Sequence, residues 1–186
     1  MSKLGKKPIL IPQGVEAKLE QTPEGGVFVA KGKEGEMRFR TLPFVNVEIK
    51  DGQIQLSAKT TMKDGRMNWG TMAALVRNAL VGVSQNFYKT LDIEGIGYRA
   101  TTEGTTLVLN VGFTHPVKFT PPAGVKISVE KNSIKISGVD KAAVGEAAAR
   151  IRKIKPPEPY KATGIRYRGE VIRRKAGKKV AGAGAS

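Results

Sequence analysis

The sequence contains no cysteine and a single histidine, and these two absences exclude much of the chemistry that enzymes use. Without cysteine there is no disulfide framework, no thiolate metal site and no cysteine nucleophile. His115 is followed by Pro116, which favours a loop, and a catalytic triad or a zinc site needs more than one lone imidazole. The acidic residues are few and scattered, so no paired-carboxylate site is evident. We therefore expect no catalytic residue, no metal, no cofactor and no small-molecule substrate in a protein that is not an enzyme.

Long hydrophobic runs are also lacking. The basic start of the chain, Met1–Pro8, leads into only Ile9–Ile11 before Pro12, which is far too short for the core of a signal peptide. No other run approaches transmembrane length. A basic helix on a membrane surface is disfavoured because Pro156–Pro159 places three prolines in the most basic tract. We expect a soluble intracellular protein with no membrane partner.

Two glycine motifs resemble known ligand-binding loops but lie in the wrong context. Gly95–Ala100 matches Gly-x-Gly-x-x-Ala, a dinucleotide-binding pattern that requires a following helix. The next residues, Thr101–Thr106, predict a hairpin turn instead, so the glycines indicate a bulge or a close backbone approach. Gly32–Gly35 has the Gly-x-x-Gly spacing with which some RNA-binding domains clamp a backbone, but it joins two predicted strands rather than two helices. We interpret it as a turn.

Positive charge is abundant and unevenly distributed. The chain has 32 Lys and Arg against 16 Asp and Glu, a formal net charge of +16. From Arg150 to the C-terminus, twelve cationic side chains accompany only Glu158 and Glu170. Such a concentration of charge is typical of proteins that bind polyanions, and Tyr160 and Tyr167 between the cations favour contacts with bases or riboses as well as phosphates. A merely solvated basic tail is the alternative.

Apolar residues that alternate with polar ones predict antiparallel sheet. Val45–Ile49 alternates in this way, Asp51-Gly52 is a strong hairpin signal, and Ile54–Ala58 predicts the returning strand. Leu107–Val111 alternates in the same way after a turn at Glu103-Gly104. Hairpins, rather than crossovers through helices, are therefore expected to connect the strands.

Two segments have the three-and-four spacing of amphipathic helices. The first begins between Asp64 and Asn68, and its apolar face comprises Trp69, Met72, Ala73, Val76, Ala79, Leu80, Val83 and Phe87. The second begins at a predicted cap, Asp140, ends at Pro156, and places on one face Val144, Ala147, Ala148, Ile151 and Ile154. Cations in its last turns complement the helix dipole. Both apolar faces predict packing against a sheet rather than a cofactor site.

Two stretches of the chain share an order of motifs. Pro12–Val15, a strand-like segment and Val27–Gly32 correspond to Pro122–Val125, a strand-like segment and Ile134–Gly138. Gly14 and Gly124 are 110 residues apart, whereas Gly32 and Gly138 are 106 residues apart. A longer turn at Pro23–Gly26 in the first copy accounts for the difference. A long period seen twice predicts a duplicated domain rather than a solenoid. Chance is the alternative, because Pro-x-Gly-Val is a short motif.

The C-terminal tract resembles the signature of a known family. Pro156–Tyr167, with Gly169-Glu170 and Arg173–Lys175 after it, is similar to the C-terminal signature of the L6 family of bacterial large-subunit ribosomal proteins. The resemblance extends, in order and spacing, over nearly the whole chain. Its further segments are Ser2–Pro8, Ile11–Val15, Gly82-Val83, Gly95–Ala100, Gly112–Pro116, Pro121–Val125 and Ser137–Lys141.

The resemblance implies an α+β fold of two tandem similar domains, each an antiparallel sheet with a packed helix. We predict an N-terminal repeat at 1–88, an RNA-binding C-terminal repeat at 89–175 and a flexible basic tail at 176–186. The resemblance also implies a structural constituent of the large ribosomal subunit that binds large-subunit ribosomal RNA near the sarcin-ricin loop, where translational GTPases dock. We expect neighbouring ribosomal proteins as partners and no homo-oligomer. The alternative is a free-standing basic nucleic-acid-binding protein or RNA chaperone.

The predicted RNA-binding residues lie in the last turns of the second helix and in the tract after it. Their cations would neutralise phosphates, and the two tyrosines would stack on bases or pack at the RNA surface. Recognition would follow the shape and backbone of a folded RNA more than a base code. The residues are Arg150, Lys153, Lys155, Tyr160, Lys161, Arg166, Tyr167, Arg168, Arg173, Arg174 and Lys175.

The chain departs from the family pattern within this tract. The family usually reads Tyr-Lys-Gly-Lys-Gly where this chain has Tyr160–Gly164. Ala162 restricts a backbone that glycine leaves free, and Thr163 removes one expected phosphate contact. Residues Thr22–Gly25 also lengthen the first predicted turn.

Overall fold

The structure is a computed structural model that describes residues 5–23, 25–50, 52–60 and 62–177. Four predicted features lie wholly or partly outside the described residues: the N-terminal motif at 1–4, Glu24 of the lengthened turn, Asp51 of the hairpin and the tail from Lys178. The chain divides into two compact units. The first is Met1–Tyr88 with Ser137–Ala143, and the second is Lys89–Ile136 with Val144–Ser186.

The first unit contains two three-stranded sheets and a long helix. Strands β2, β3 and β4 form an antiparallel meander at Glu16–Thr22, Gly25–Gly32 and Gly35–Arg40. The other sheet has the order β1-β6-β5, with strands at Ile9–Leu10, Gln53–Ala58 and Val45–Lys50. The predicted hairpin of alternating residues is thus β5–β6, and Gly32–Gly35 is the turn between β3 and β4, as its sequence context predicted.

Helix α1, Lys63–Gln85, supplies six of the thirteen buried core residues among the described part of the first unit. It begins one residue before the predicted range. Its buried residues recur at three and four as the sequence predicted, and they pack with Phe28 and Ile54 from the sheets. The assignment of Phe87 to this face is wrong, because Asn86, with a φ of 55°, ends the helix and Phe87 starts strand β7.

The remaining elements form the second sheet-plus-helix group. Strands β8, β9 and β10 make an antiparallel meander at Arg99–Glu103, Thr106–Asn110 and Val117–Phe119. A four-stranded sheet has the order β11-β12-β7-β13, with strands at Val125–Glu130, Ser133–Gly138, Phe87–Glu94 and Gly164–Tyr167. Helix α2 spans Lys141–Ile154. The motif Gly95–Ala100 leads into β8 and not into a helix, which agrees with its rejection as a dinucleotide site.

The predicted start and end of α2 are both confirmed. The Asp140 carboxylate accepts a hydrogen bond from the Ala142 backbone N–H at 2.8 Å, which satisfies one of the unpaired donors at the helix start. Pro156 follows the last helical residue by two positions. The buried face comprises Val144, Ala147, Ala148 and Ile151. Among the described residues, no helix has the length and apolar character needed to cross a membrane.

The α+β fold of two similar sheet-plus-helix groups is confirmed, but the predicted alignment of the repeat is wrong. Each group runs strand, three-stranded meander, hairpin, helix. Pro12–Val15 precedes the meander strand β2, whereas Pro122–Val125 precedes the hairpin strand β11. The two segments match because they form the same turn: Gly14 and Gly124 have φ of 78° and 77°, and each valine N–H bonds to the proline carbonyl at 3.2 Å. The counterpart of Val125–Gly138 is Val45–Ala58, which aligns with it without a gap.

Candidate nucleic-acid interface

The predicted tract forms a closed loop followed by a strand. Strand β13 pairs antiparallel with β7, which sets Arg166 opposite Asp92 and Gly164 opposite Glu94. The loop between α2 and β13 is closed at its base by the Ile165 N–H, which donates to the Lys155 carbonyl at 2.8 Å. Glu158 N–H donates to the Thr163 carbonyl, and Ala162 N–H donates to the Glu158 carbonyl, both at 2.9 Å. The backbone therefore fixes the shape of this loop.

Two residues of the loop have left-handed backbone conformations. Gly164 has a φ of 141°, and a Cβ there would lie 2.6 Å from the Pro156 carbonyl oxygen and 2.7 Å from the Pro157 Cα. Such a close approach of two backbone segments excludes a side chain at Gly164. Ala162 has a φ of 58° and is buried, so alanine adopts here the conformation that glycine takes more readily.

A single backbone contact brings two cationic segments together. The Lys175 N–H donates to the Pro159 carbonyl at 2.9 Å, which places the segment Arg173–Lys175 beside the segment that contains Tyr160 and Lys161. Tyr160 is exposed. Residues far apart in the loop and in the C-terminal segment thus share one surface, which we call the loop–tail surface and define as Pro159–Lys161 with Arg173–Lys175.

The cations of this surface are exposed and open to a partner. Within the described part of the chain, none of them forms an ion pair with a carboxylate, and the same holds for Lys153 on α2. Arg150 does pair with Glu146 at 2.5 Å, four residues earlier on the helix, but both side chains are largely exposed. Exposed pairs of this kind contribute little to stability, so Arg150 can exchange its partner at small cost.

Arg166 and Arg168 have acidic partners on β7. Arg166 lies 2.8 Å from Glu94, and Arg168 lies 3.2 Å from Asp92 and 2.7 Å from the Ser133 hydroxyl. Burial acts to raise the pKa of Asp92, but hydrogen bonds from Ser133 and Arg168 and the charges of both arginines outweigh it and lower the pKa below its usual value. The charges of both arginines are therefore met within the protein by carboxylates of β7. Their predicted role as phosphate ligands stays a prediction.

Tyr167 has two cations near its ring, and an acidic residue accepts a hydrogen bond from its backbone N–H. Lys89 Nζ and the Arg152 guanidinium lie 5.9 and 5.7 Å from the ring centroid, within the range of cation–π attraction. Glu170 accepts hydrogen bonds from Arg152 at 2.7 and 3.2 Å and from the Tyr167 N–H at 3.0 Å. The bonds from Arg152, followed by that from Tyr167, lower the pKa of Glu170.

Sequence reasoning did not select Arg152 and Lys89. In the sequence, Arg152 is one of several cations near a helix end. Its partner Glu170 lies 18 residues away in a segment without periodicity, so no local pattern links the two residues. Lys155, which was selected, has its Nζ 5.2 Å from the centroid of the Phe113 ring, a residue that no charge pattern marked. The spacing of cations and aromatics in the sequence carries no signal for these contacts.

Comparisons with known proteins agree with the resemblance seen in the sequence. A family model described as Ribosomal protein L6 matches residues 94–168. The chain is 45% identical over 180 residues to the large ribosomal subunit protein uL6 of Persephonella marina, an alignment that covers 97% of this chain and 99% of that protein. It is 46% identical over 180 residues to the uL6 protein of Campylobacter lari, with 96% and 98% covered. With the uL6 protein of Helicobacter hepaticus the identity is 45% over 178 residues, with the same coverage.

Proposed function

The chain belongs to the ribosomal protein L6 family, and we propose that it binds large-subunit ribosomal RNA through the loop–tail surface of its C-terminal unit. As a bacterial-type member of this family it is a structural protein of the large ribosomal subunit, located in the cytoplasm with the ribosome, and not an enzyme.

The observation that carries the proposal is the contact between the Lys175 N–H and the Pro159 carbonyl. It gathers Lys161, Arg173, Arg174 and Lys175 on one surface, where no carboxylate of a described residue neutralises them. Unpaired cations that converge in this way repel each other unless a polyanion lies against them. An RNA backbone supplies phosphates in series, and neutralising them releases counterions, which favours binding.

We assign different roles to the predicted residues according to their partners. Lys153, Lys155 and the four cations of the loop–tail surface contact phosphates directly, and Arg150 joins them by exchanging its exposed partner. Arg166 and Arg168 keep β13 in register with β7 and act on the RNA mainly by positioning the loop. Tyr160 is exposed and packs against the RNA. Tyr167 has Lys89 and Arg152 near its ring and acts by packing beneath the surface that contacts RNA.

On the subunit, we propose that the protein lies near the sarcin-ricin loop, beside the region where translational GTPases dock. It acts there as one copy, in contact with ribosomal RNA and neighbouring ribosomal proteins. A rigid loop closed by backbone hydrogen bonds suits a folded RNA, which proteins recognise mainly by shape and backbone.

Sedimentation of a cell lysate followed by footprinting tests this function. In moderate salt the protein should run with the large subunit, and on naked large-subunit ribosomal RNA it should protect nucleotides around the sarcin-ricin loop. Recovery of the protein in the free fraction would favour the free-standing nucleic-acid-binding alternative. Protection elsewhere on the RNA would keep the ribosomal function and reject the proposed position.

A further inference from the structure

Two loops of the second unit expose apolar side chains at their tips. Residues 95–98 connect β7 to β8, and the Ile96 side chain between two glycines has an exposed fraction of 102%. Residues 111–116 connect β9 to β10, and Phe113 is 49% exposed. Exposed apolar residues of this size, when they lie together, mark a surface that a partner covers.

The ring of Tyr98 holds the two loops together. A Cβ on Gly95 would lie 2.5 Å from the Tyr98 Cδ2, and a Cβ on Gly112 would lie 3.2 Å from the Tyr98 Cε1. The ring thus packs against the backbone of both glycines. Gly112 also has a φ of 79°, which other residues adopt only under strain. Both loops therefore present their tips from a fixed base.

The chemistry around the tips favours a nucleic acid. Lys155 Nζ lies 5.2 Å from the Phe113 centroid, which joins this surface to the cations after α2. Neither loop contains an acidic residue, and Arg99 follows the first of them. Glu94 precedes that loop, but it pairs with Arg166 at 2.8 Å. An aromatic ring beside a cation is an arrangement that proteins use to hold an unpaired base and its backbone.

We infer that Phe113 is a stacking platform for an unpaired base of the large-subunit ribosomal RNA, with Lys155 on the adjoining phosphate and Ile96 packed against the neighbouring nucleotide. This inference rests on the proposed function and extends the RNA-binding surface to residues that carry no charge. Every base has a π-face, so the platform tolerates different bases, and it adds affinity that salt does not screen.

The test compares full-length variants on in vitro-transcribed large-subunit ribosomal RNA. Phe113→Ala and Phe113→Leu should each weaken binding by about 5- to 150-fold, the range found when stacked aromatics are removed. Phe113→Trp should restore the affinity, and Ile96→Ser should weaken binding about three- to tenfold. The slope of log K against log salt should stay unchanged, because no charge is removed. Phe44→Ala is the matched control, since Phe44 is 52% exposed in the first unit and should have no effect.

Each other outcome overturns the inference in a distinct way. Wild-type affinity of Phe113→Leu would mean that bulk, and not a stacked ring, is needed. Wild-type affinity of Phe113→Ala on naked RNA, with reduced incorporation into large subunits, would identify a protein partner. Failure of the wild-type protein to bind the RNA would reject the proposed function itself. Thermal unfolding identifies any misfolded variant. If Phe113→Ala is misfolded, the affinities of Phe113→Leu and Phe113→Trp decide whether a stacked ring is needed, because both side chains fill the site.

Discussion

Arg152 on α2 and Glu170 after β13 form a two-point ion pair, with Nε to Oε2 at 3.2 Å and Nη2 to Oε1 at 2.7 Å. The same carboxylate accepts the Tyr167 N–H at 3.0 Å. Glu170 thus connects α2 to the end of β13 and fixes the start of the segment that leads to Arg173–Lys175. Because about a third or less of each side chain is exposed, the pair is screened less than a surface ion pair.

The pKa of Glu170 predicts a pH dependence of stability. Its folded pKa is lowered, so the pair contributes stability that is fully present above the unfolded pKa of about 4.3 and is lost as pH falls through the folded value. Glu170→Gln should lower the free energy of unfolding by about 1 kcal/mol at pH 7, and the deficit should shrink below about pH 4. Urea unfolding of both proteins at several pH values measures this difference in the free energy of unfolding.

The control for this experiment is Glu146→Gln, which removes the exposed partner of Arg150. Its effect on the free energy of unfolding should stay within about 0.5 kcal/mol at each pH. A deficit of Glu170→Gln that stays constant from neutral to acid pH would contradict the assignment, because a neutral amide then differs from the carboxylate for a reason other than charge.

Gly164 and Gly169 allow a comparison between a glycine that a neighbouring backbone segment crowds and a glycine that has open space around it. Both have positive φ, 141° and 83°, but a Cβ meets backbone atoms at 2.6 Å at the first and nothing within 4 Å at the second. Gly169→Ala should cost about 1 kcal/mol of unfolding free energy. Gly164→Ala should cost about 2 kcal/mol more, because the loop must also move away from Pro156. Equal costs would show that the loop yields without penalty.

The sequence predicted elements well where the signal is local. Alternation predicted β5–β6 and β9, the Asp140 carboxylate predicted the start of α2, and the turn at Gly32–Gly35 followed from its context. The repeat was misaligned because Pro-x-Gly-Val encodes a turn that recurs at two different places in the fold. The gapless match of Val45–Ala58 with Val125–Gly138 was present in the sequence, but polar differences such as Lys50 and Glu130 obscure it.

The partners of the cations could not be predicted, because they depend on strand register. Arg166 and Arg168 resemble Arg173 and Arg174 in the sequence. The pairing of β13 with β7 brings Arg166 to 2.8 Å from Glu94 and Arg168 to 3.2 Å from Asp92, more than 70 residues away, whereas the other two arginines follow the strand. A charge count treats all four as equal phosphate ligands. The structure divides them into arginines that pair with carboxylates of β7 and arginines that have no ion-pair partner among the described residues.

That division predicts the salt dependence of RNA binding. For each phosphate neutralised, log K falls with log salt by roughly 0.7–0.9. Arg173, Arg174 and Lys175 changed together to Gln should therefore flatten the slope by about two to three units. Lys31, Lys33 and Lys59 are exposed in the first unit and serve as a control that removes the same charge. Their replacement should change the slope by much less than one unit.

The comparison decides between a specific surface and general attraction. If the C-terminal cations were merely solvated, both triple variants would bind with the slope of the wild-type protein. If net charge alone attracted the RNA, both would flatten the slope equally. The C-terminal variant alone should flatten the slope. Its unfolding free energy should stay within about 0.5 kcal/mol of the wild-type value, because the three side chains are exposed and lie beyond the last strand. An unchanged slope would instead move the phosphate contacts to the cations between Arg150 and Lys161.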